Sequence, residues 1–183
     1  SARIEPDAFI ISAGGTNLGN LSDEDISRCE IGKETCEGSR KPSMETGMHR
    51  GIYRKCEDAK AIIHSQPLYS TVAACSRMPI RTDFLPEAMA YLERIERVPY
   101  HHAGSRKLAE VTAALAGNSR ILLLENHGVI CWGDSLEEAL LLTQTLEFCC
   151  RLLAVAKSSG LEFNYLGEGV PADFRRHLRE IGR

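Results

Sequence analysis

Between Leu122 and Glu138 the chain reads L-L-L-E-N-H-G-V-I-C-W-G-D-S-L-E-E, and no other stretch constrains the fold as tightly. Two apolar runs, Arg120 to Glu125 and Val129 to Trp132, read as strands separated by Asn126-His127-Gly128, which gives the pair the look of a hairpin. Asp134 then predicts an N-cap, with Glu137 three residues later completing a capping box. It opens a long apolar-periodic helix that runs to about Ser158 and stops at Gly160. A hairpin-like pair in a chain where strands and helices otherwise alternate favours a mixed sheet flanked by helices over a strictly parallel one.

The same stretch leaves His127 at the end of an apolar strand. Ala61 to Pro67 (A-I-I-H-S-Q-P) repeats the arrangement, with an apolar run, His64, and a proline that stops the strand. His64 and Gln66 are two residues apart, so strand alternation directs both side chains to one side of the sheet. Two neutral imidazole nitrogens and one amide oxygen would bind a divalent cation and leave positions open for substrate or water. Either histidine alone is more often a hydrogen-bonded structural residue than a ligand. Their shared context argues for one site.

The remaining elements follow from local pattern. Ala8 to Ser12 reads as a buried strand, and Ala13-Gly14-Gly15 as a turn that lets a ligand approach the backbone. Leu21 to Ile26 predicts a short turn of helix, and Glu30 to Lys41 a loop or an edge hairpin. A helix begins near Ser43 as N-cap and carries Glu45 and His49 at i and i+4. Ala59 to His64 is a strand and Tyr69 to Ser76 a helix. Pro79 to Arg97 reads as strand, loop and short helix, Ser105 to Leu115 as a helix stopped by Gly117, and Ala172 to Ile181 as a last helix. Glu45, one turn into its helix, is the best acid/base candidate, against the alternative of a solvated helix-start carboxylate.

Bulk properties narrow the partners. At 183 residues and 20.2 kDa the whole chain fits one domain with a sizeable core. The net charge of −3 is scattered, without the basic stripe that a phosphate backbone requires, so nucleic acid is not expected. Apolar runs fall short of the ~20 residues of a membrane span, and no signal peptide is recognisable at the start, so a soluble, cytoplasmic protein without a membrane partner is expected. Cys29, Cys36, Cys56, Cys75, Cys131, Cys149 and Cys150 are odd in number and contain no C-x-x-C pair; the expectation is free thiols, with neither a disulfide framework nor a zinc ribbon.

Three motifs carry a more specific signal: H-S-Q-P at His64, P-Y-H-H-A-G-S-R-K-L-A-E at Pro99 to Glu110, and E-N-H-G-V-I-C-W-G-D-S-L-E-E-A at Glu125 to Ala139. In order and spacing the chain resembles the class II aldolase and adducin family across nearly its whole length. The resemblance implies a three-layer α/β/α domain with a central mixed, largely antiparallel sheet, assembled as a homotetramer with sites at subunit interfaces. Family members include sugar-phosphate aldolases, a pentose-phosphate epimerase, dehydratases, decarboxylases and the non-catalytic adducin head.

In that family an H-x-H pair and a later histidine before glycine hold a divalent metal, usually zinc. His64 and His127 match the first and third ligands, and Gln66 replaces the second. Lys41 to Glu45, K-P-S-M-E, matches the family's K-P-S-S-E-like motif, which makes Glu45 the implied acid/base. Substrate-binding positions map to Gly14 and Gly15, where the family has a Ser/Thr-Gly turn, and to Ser43 and Met44, where it has paired serines. Two hydroxyls that grip a substrate phosphate are thereby missing, although backbone N–H groups at Ala13 to Thr16 could still hold an anion. Gln66 shifts the expected ion from zinc toward manganese or magnesium, or toward no metal at all.

Ser1-Ala2-Arg3 resembles the end of the family's G-N-x-S-A-R motif, which implies that helices preceding it are missing from this sequence. His101 and His102, in the family's P-Y-x-x-P-G-S region, read as loop residues, and Arg81 and Asp83 as second-tier candidates for substrate or subunit contacts. The expected activity is that of a metal-dependent lyase making or breaking a carbon–carbon bond in a small hydroxy-carbonyl or keto-acid substrate. The alternative is a non-catalytic, adducin-like oligomeric binding protein that has lost its metal.

Overall fold

The computed structural model describes residues 1–182. In chain order the strands are β1 (Ala2–Glu5), β2 (Ala8–Ser12), β3 (Ile26–Glu30), β4 (Cys36–Glu37), β5 (Ala61–Ser65), β6 (Glu96–Val98), β7 (Ile121–Leu124) and β8 (Gly128–Gly133). The helices are α1 (Thr46–Lys55), α2 (Leu68–Ala74), α3 (Pro86–Tyr91), α4 (Arg106–Ala116), α5 (Leu136–Ser159) and α6 (Val170–Glu180). One mixed sheet runs β4-β3-β2-β1-β5-β8-β7-β6, antiparallel throughout except for the parallel β6–β7 pair.

Every residue of β7 and β8 is buried, because helices cover both faces at this part of the sheet. Alternation divides their side chains between two cores. Leu122, Leu124, Ile130 and Trp132 join Met48, Ile52 and Leu108 on the α1/α4 side. Ile121, Leu123, Val129 and Cys131 join Ala73, Ala88, Leu142, Leu146 and Cys149 on the α2/α3/α5 side. These are the three layers, α/β/α, expected from the resemblance.

Several local expectations need correction. The helix after β8 is capped one residue later than Asp134: Ser135 is extended and its Oγ accepts from Glu138 N at 3.0 Å, while Glu138 Oε2 accepts from Asp134 N at 2.7 Å. Its stop at Gly160 is as expected, with φ 68° in the left-handed region. The strand expected near Pro79 is absent. That segment instead packs Ile80, Phe84 and Leu85 on the core and is tied to the C-terminal part through Leu166 N–H donating to Asp83 O at 2.8 Å. The strand of that region is β6, at its far end.

Leu21 to Ile26 contains a single 3₁₀ turn, Asp23–Asp25, and Ile26 already begins β3; of the two alternatives for Glu30 to Lys41, it is the edge hairpin, formed by β3 and β4. Directly opposite residues of that hairpin, Cys29 and Cys36, form a disulfide, contrary to the expectation of free thiols throughout. Sequence spacing could not show this, because it is the hairpin register that brings the two cysteines together. Cys56, Cys75, Cys131, Cys149 and Cys150 are free. The long helix also exceeds the expected limit on apolar runs: its 24 residues are long and apolar enough to cross a membrane by length and composition. Packing on β8, β5 and α2 buries about half of it, while Leu136, Leu140, Leu141, Phe148 and Val155 stay exposed.

Candidate active site

A three-residue loop joins β7 to β8, since Leu124 pairs with Gly128. Asn126 occupies its left-handed position at φ 55°, a conformation that asparagine tolerates better than most residues, and its N–H donates to Ala74 O. Gly128 follows because a Cβ there would lie 2.6 Å from Ser65 O and 3.0 Å from Gln66 Cγ. The absent side chain lets the loop settle against the end of β5. His127 and His64 consequently meet edge to face, with ring centroids 4.8 Å apart.

His64 lies on the same face as Ile62 and is largely buried. Its Nδ1 is 2.9 Å from Val129 O. A carbonyl can only accept, so Nδ1 carries the proton and Nε2 keeps its lone pair. Burial is the main cause of a pKa lowered to about 4, with the Val129 bond opposing it and His127 reinforcing it, so the ring is neutral near pH 7. Gln66 Nε2 is 3.4 Å from His64 Nε2 as the amide stands. Rotating the amide by half a turn presents Oε1 in its place.

Glu45 enters from the opposite layer. It is the residue preceding α1 rather than one turn inside it, with backbone φ −85° and ψ 5°. Ser43 is the reason: its carbonyl accepts from Thr46 N at 3.1 Å and its Oγ from Glu45 N at 3.2 Å, so the chain already turns before the helix starts. Only 6% of Glu45 is exposed; Oε1 lies 3.9 Å from His127 Nε2, and Oε2 is buried with no hydrogen-bond partner. A carboxylate oxygen left without a donor in the interior is costly unless a ligand completes it.

The Ala13-Gly14-Gly15 turn lies beside this segment. Gly14 N–H donates to Lys41 O at 3.0 Å and Ser43 N–H to Ser12 O at 3.1 Å. Gly14 and Ser43 are therefore neighbours, with Gly15 and Met44 next to them in sequence, although the Ala13 and Gly14 amides are already engaged within the protein, Ala13 N–H with Asp25 O. Met44 is 69% exposed, and its backbone oxygen lies where Gly104 leaves room. The His102 ring lies against Tyr100 and its carbonyl accepts from Ser105 N, and Arg81 pairs with Asp83.

Sequence reasoning missed Glu147. From α5 its carboxylate accepts from Tyr69 N at 2.9 Å, Ser70 N at 2.7 Å and Ser70 Oγ at 2.7 Å, so it caps α2 immediately after Gln66 and Pro67. A lone glutamate on a long helix gives no sequence signal of this role.

Among the described residues, no group of three or more His, Cys, Asp or Glu side chains is arranged to hold a metal ion. The donor set becomes larger with the Gln66 amide. His64 Nε2 with its lone pair, the unpartnered Glu45 Oε2, His127 Nε2 and a rotatable amide oxygen are chemically suited to a divalent cation.

The family described as Class II Aldolase and Adducin N-terminal domain matches residues 1–154. An L-fuculose phosphate aldolase from Methanocaldococcus jannaschii is 36% identical over 143 residues, 78% of this chain and 76% of that protein. A 3-oxo-tetronate 4-phosphate decarboxylase from Escherichia coli is 30% identical over 169 residues, covering 89% and 79% of the two chains. Among solved structures, YgbL from Escherichia coli superimposes with a TM-score of 0.87 at 27% identity, covering 96% of this chain and 85% of that one. The chain belongs to the class II aldolase and adducin family.

Proposed function

We propose that this protein is a metal-dependent lyase that makes or breaks a bond to the carbon next to a carbonyl, in a small hydroxy-carbonyl or keto-acid substrate. The observation that carries the reading is the convergence of Glu45, from one helical layer, on His127 and His64 at the sheet ends. Relatives named as aldolases and as decarboxylases support a shared carbonyl chemistry.

His64, His127 and the Gln66 amide oxygen would hold the ion. When bound, a divalent ion supplies Lewis-acid polarisation of a substrate carbonyl. The Val129 carbonyl keeps the His64 ring oriented and its Nε2 deprotonated. Glu45, held at the start of α1 by Ser43, delivers or removes the proton at the carbon beside the carbonyl. Burial of its carboxylate limits exchange of that proton with solvent. An amide oxygen in place of a third imidazole favours manganese or magnesium over zinc.

Ser43 supplies a hydroxyl beside the Gly14-Gly15 turn, while the Thr16 hydroxyl donates to Ala13 O at 2.9 Å and two amides of the turn are engaged. A substrate whose anionic end is a carboxylate fits this better than one needing a full phosphate cradle. Leu140, Leu141, Phe148 and Val155, exposed along α5, support a homo-oligomer, and cytoplasmic residence remains part of the proposal.

The test is to incubate manganese- or zinc-loaded protein with a panel of hydroxy-ketone phosphates, hydroxy-keto acids and 3-oxo acids and to follow aldehyde, pyruvate-type and carbon dioxide products. Turnover of at least one class that is lost in Glu45→Gln is expected. Metal binding without turnover of any of them would overturn the lyase reading in favour of a non-catalytic, adducin-like one, and turnover unaffected by Glu45→Gln would overturn the proton-transfer role of Glu45.

A further inference from the structure

We propose that Cys29 and Cys36 form a reversible thiol–disulfide exchange centre that reacts with small anionic disulfides through Cys36. The pair lies on the edge hairpin, on α1's side of the sheet, and the groove beside it also reaches Ser43 and Met44. Five other cysteines of the chain are free, and Cys75 among them is exposed.

The two sulfurs have different surroundings. Cys29 is fully buried in the core with Phe9, Ile11 and Met48. Cys36 is only partly buried and lines a groove of about 1100 Å³ between the hairpin, α1 and α4. An incoming thiol or disulfide therefore reaches Cys36 first.

Arg50 supplies the chemical asymmetry. It is 3% exposed, and its Nη2 lies 3.3 Å from Cys36 Sγ. The same guanidinium is fixed by Glu30 O at 2.9 Å and Glu34 Oε2 at 2.7 Å, so it cannot swing away from the sulfur. A buried cation at hydrogen-bond distance stabilises the thiolate that reduction produces and improves Cys36 both as nucleophile and as leaving group. Glu34 offsets part of that charge, but its carboxylate is 78% exposed and solvent screens it more than the buried guanidinium.

The groove explains the preference for anions. Besides Arg50, it is lined by Lys41, Arg54, Lys55 and Arg106, against Glu34 and Glu110. A net cationic groove concentrates anionic reagents, so a glutathione-type disulfide suits it better than a cationic one.

The exchange balances as follows. The Cys36 thiolate attacks one sulfur of the small disulfide and expels a small thiolate, leaving a mixed disulfide on Cys36. Cys29 attacks Cys36 Sγ, its proton passing to the second small thiolate as that group leaves. Two protein thiols are oxidised to one disulfide, and one small disulfide is reduced to two thiols. A small anionic thiol reverses both steps.

Competition within one chain provides the test. Protein reduced and freed of reductant is treated at pH 7 with limiting iodoacetamide, and the modified peptides are quantified by mass spectrometry. Cys36 is expected to react roughly 10-fold faster than Cys75, and Arg50→Gln to abolish that advantage while Arg50→Lys keeps part of it. In Cys29→Ser, oxidised glutathione is expected to form its mixed disulfide at Cys36 several-fold faster than cystamine does, with the difference shrinking at high salt. Reaction of Cys36 no faster than Cys75 overturns the proposal, as does a Cys36 rate unchanged by Arg50→Gln in protein that still melts cooperatively. Equal rates with the two disulfides overturn the anion preference.

Discussion

Glu45 Oε1 and His127 Nε2 face each other at 3.9 Å, although the two residues come from different layers of the fold, one at the start of α1 and the other in the β7–β8 loop. The gap is wider than a direct hydrogen bond, and the second carboxylate oxygen has no partner. A ligand placed between them would satisfy both groups.

Replacing Glu45 by Gln keeps the side-chain shape and removes the proton acceptor. Turnover of whichever substrate the panel identifies is expected to fall roughly 10²- to 10⁴-fold. Melting is expected to change little, because Ser43 and the helix backbone fix this position without the carboxylate. Steady-state kinetics beside a thermal melt check both halves.

Gly128→Ala introduces a Cβ 2.6 Å from Ser65 O, a backbone atom that cannot move aside alone. Overpacking of this kind costs about 1–3 kcal/mol. The loop carrying His127 must move away from His64, so weaker metal binding is expected together with a lower urea midpoint. A variant with unchanged stability would show that the close approach of β8 to the end of β5 is dispensable.

Loss of the Glu147 carboxylate leaves Tyr69 N–H, Ser70 N–H and the Ser70 hydroxyl without their acceptor. Glu147→Ala is expected to destabilise the fold by roughly 2–3 kcal/mol, and Glu147→Gln by less, since one amide oxygen remains. Chemical denaturation of both variants measures the difference. Because α2 begins directly after Gln66 and Pro67, the Ala variant is also expected to weaken metal binding more than the Gln variant.

Acid is expected to destabilise the metal-free protein through His64. Its pKa is about 4 in the fold, against an ordinary value near 6.5 in the unfolded chain, so between these values the unfolded state binds more protons. Stability from this group is fully present above about pH 6.5 and is lost as pH falls toward 4, an effect on the order of 3 kcal/mol. Urea midpoints between pH 4 and 7 should show it, and His64→Asn should flatten that part of the curve. An equal slope in the variant would assign the effect elsewhere, with buried His49, also shifted downward chiefly by burial, the first candidate.

How much of this was legible in the sequence depends on the range of the interaction. The β7–β8 pair, the long helix and its glycine stop follow from nearest-neighbour chemistry, and so does the turn at Gly14-Gly15. The family motifs led to Glu45, His64, Gln66 and His127, and the fold brings all four into one region. Features set by strand register or by packing of distant segments were not legible: the Cys29–Cys36 pairing depends on which residues face each other across a short hairpin, and Glu147 reaches α2 from 77 residues away. The helix start moved past Glu45 because Ser43 turns the backbone first, a competition that helix propensity alone does not reveal.

The most direct measurement is calorimetric titration of manganese and of zinc into chelator-treated, dialysed protein, alongside His64→Ala and His127→Ala. One divalent ion per chain is expected, with affinity reduced at least about 10-fold in each variant and thermal stability raised by about 2.7 kcal/mol at 100 times the dissociation constant. Absence of stoichiometric binding to folded wild-type protein, or binding that survives both substitutions, would contradict a metal site built from His64, Gln66 and His127.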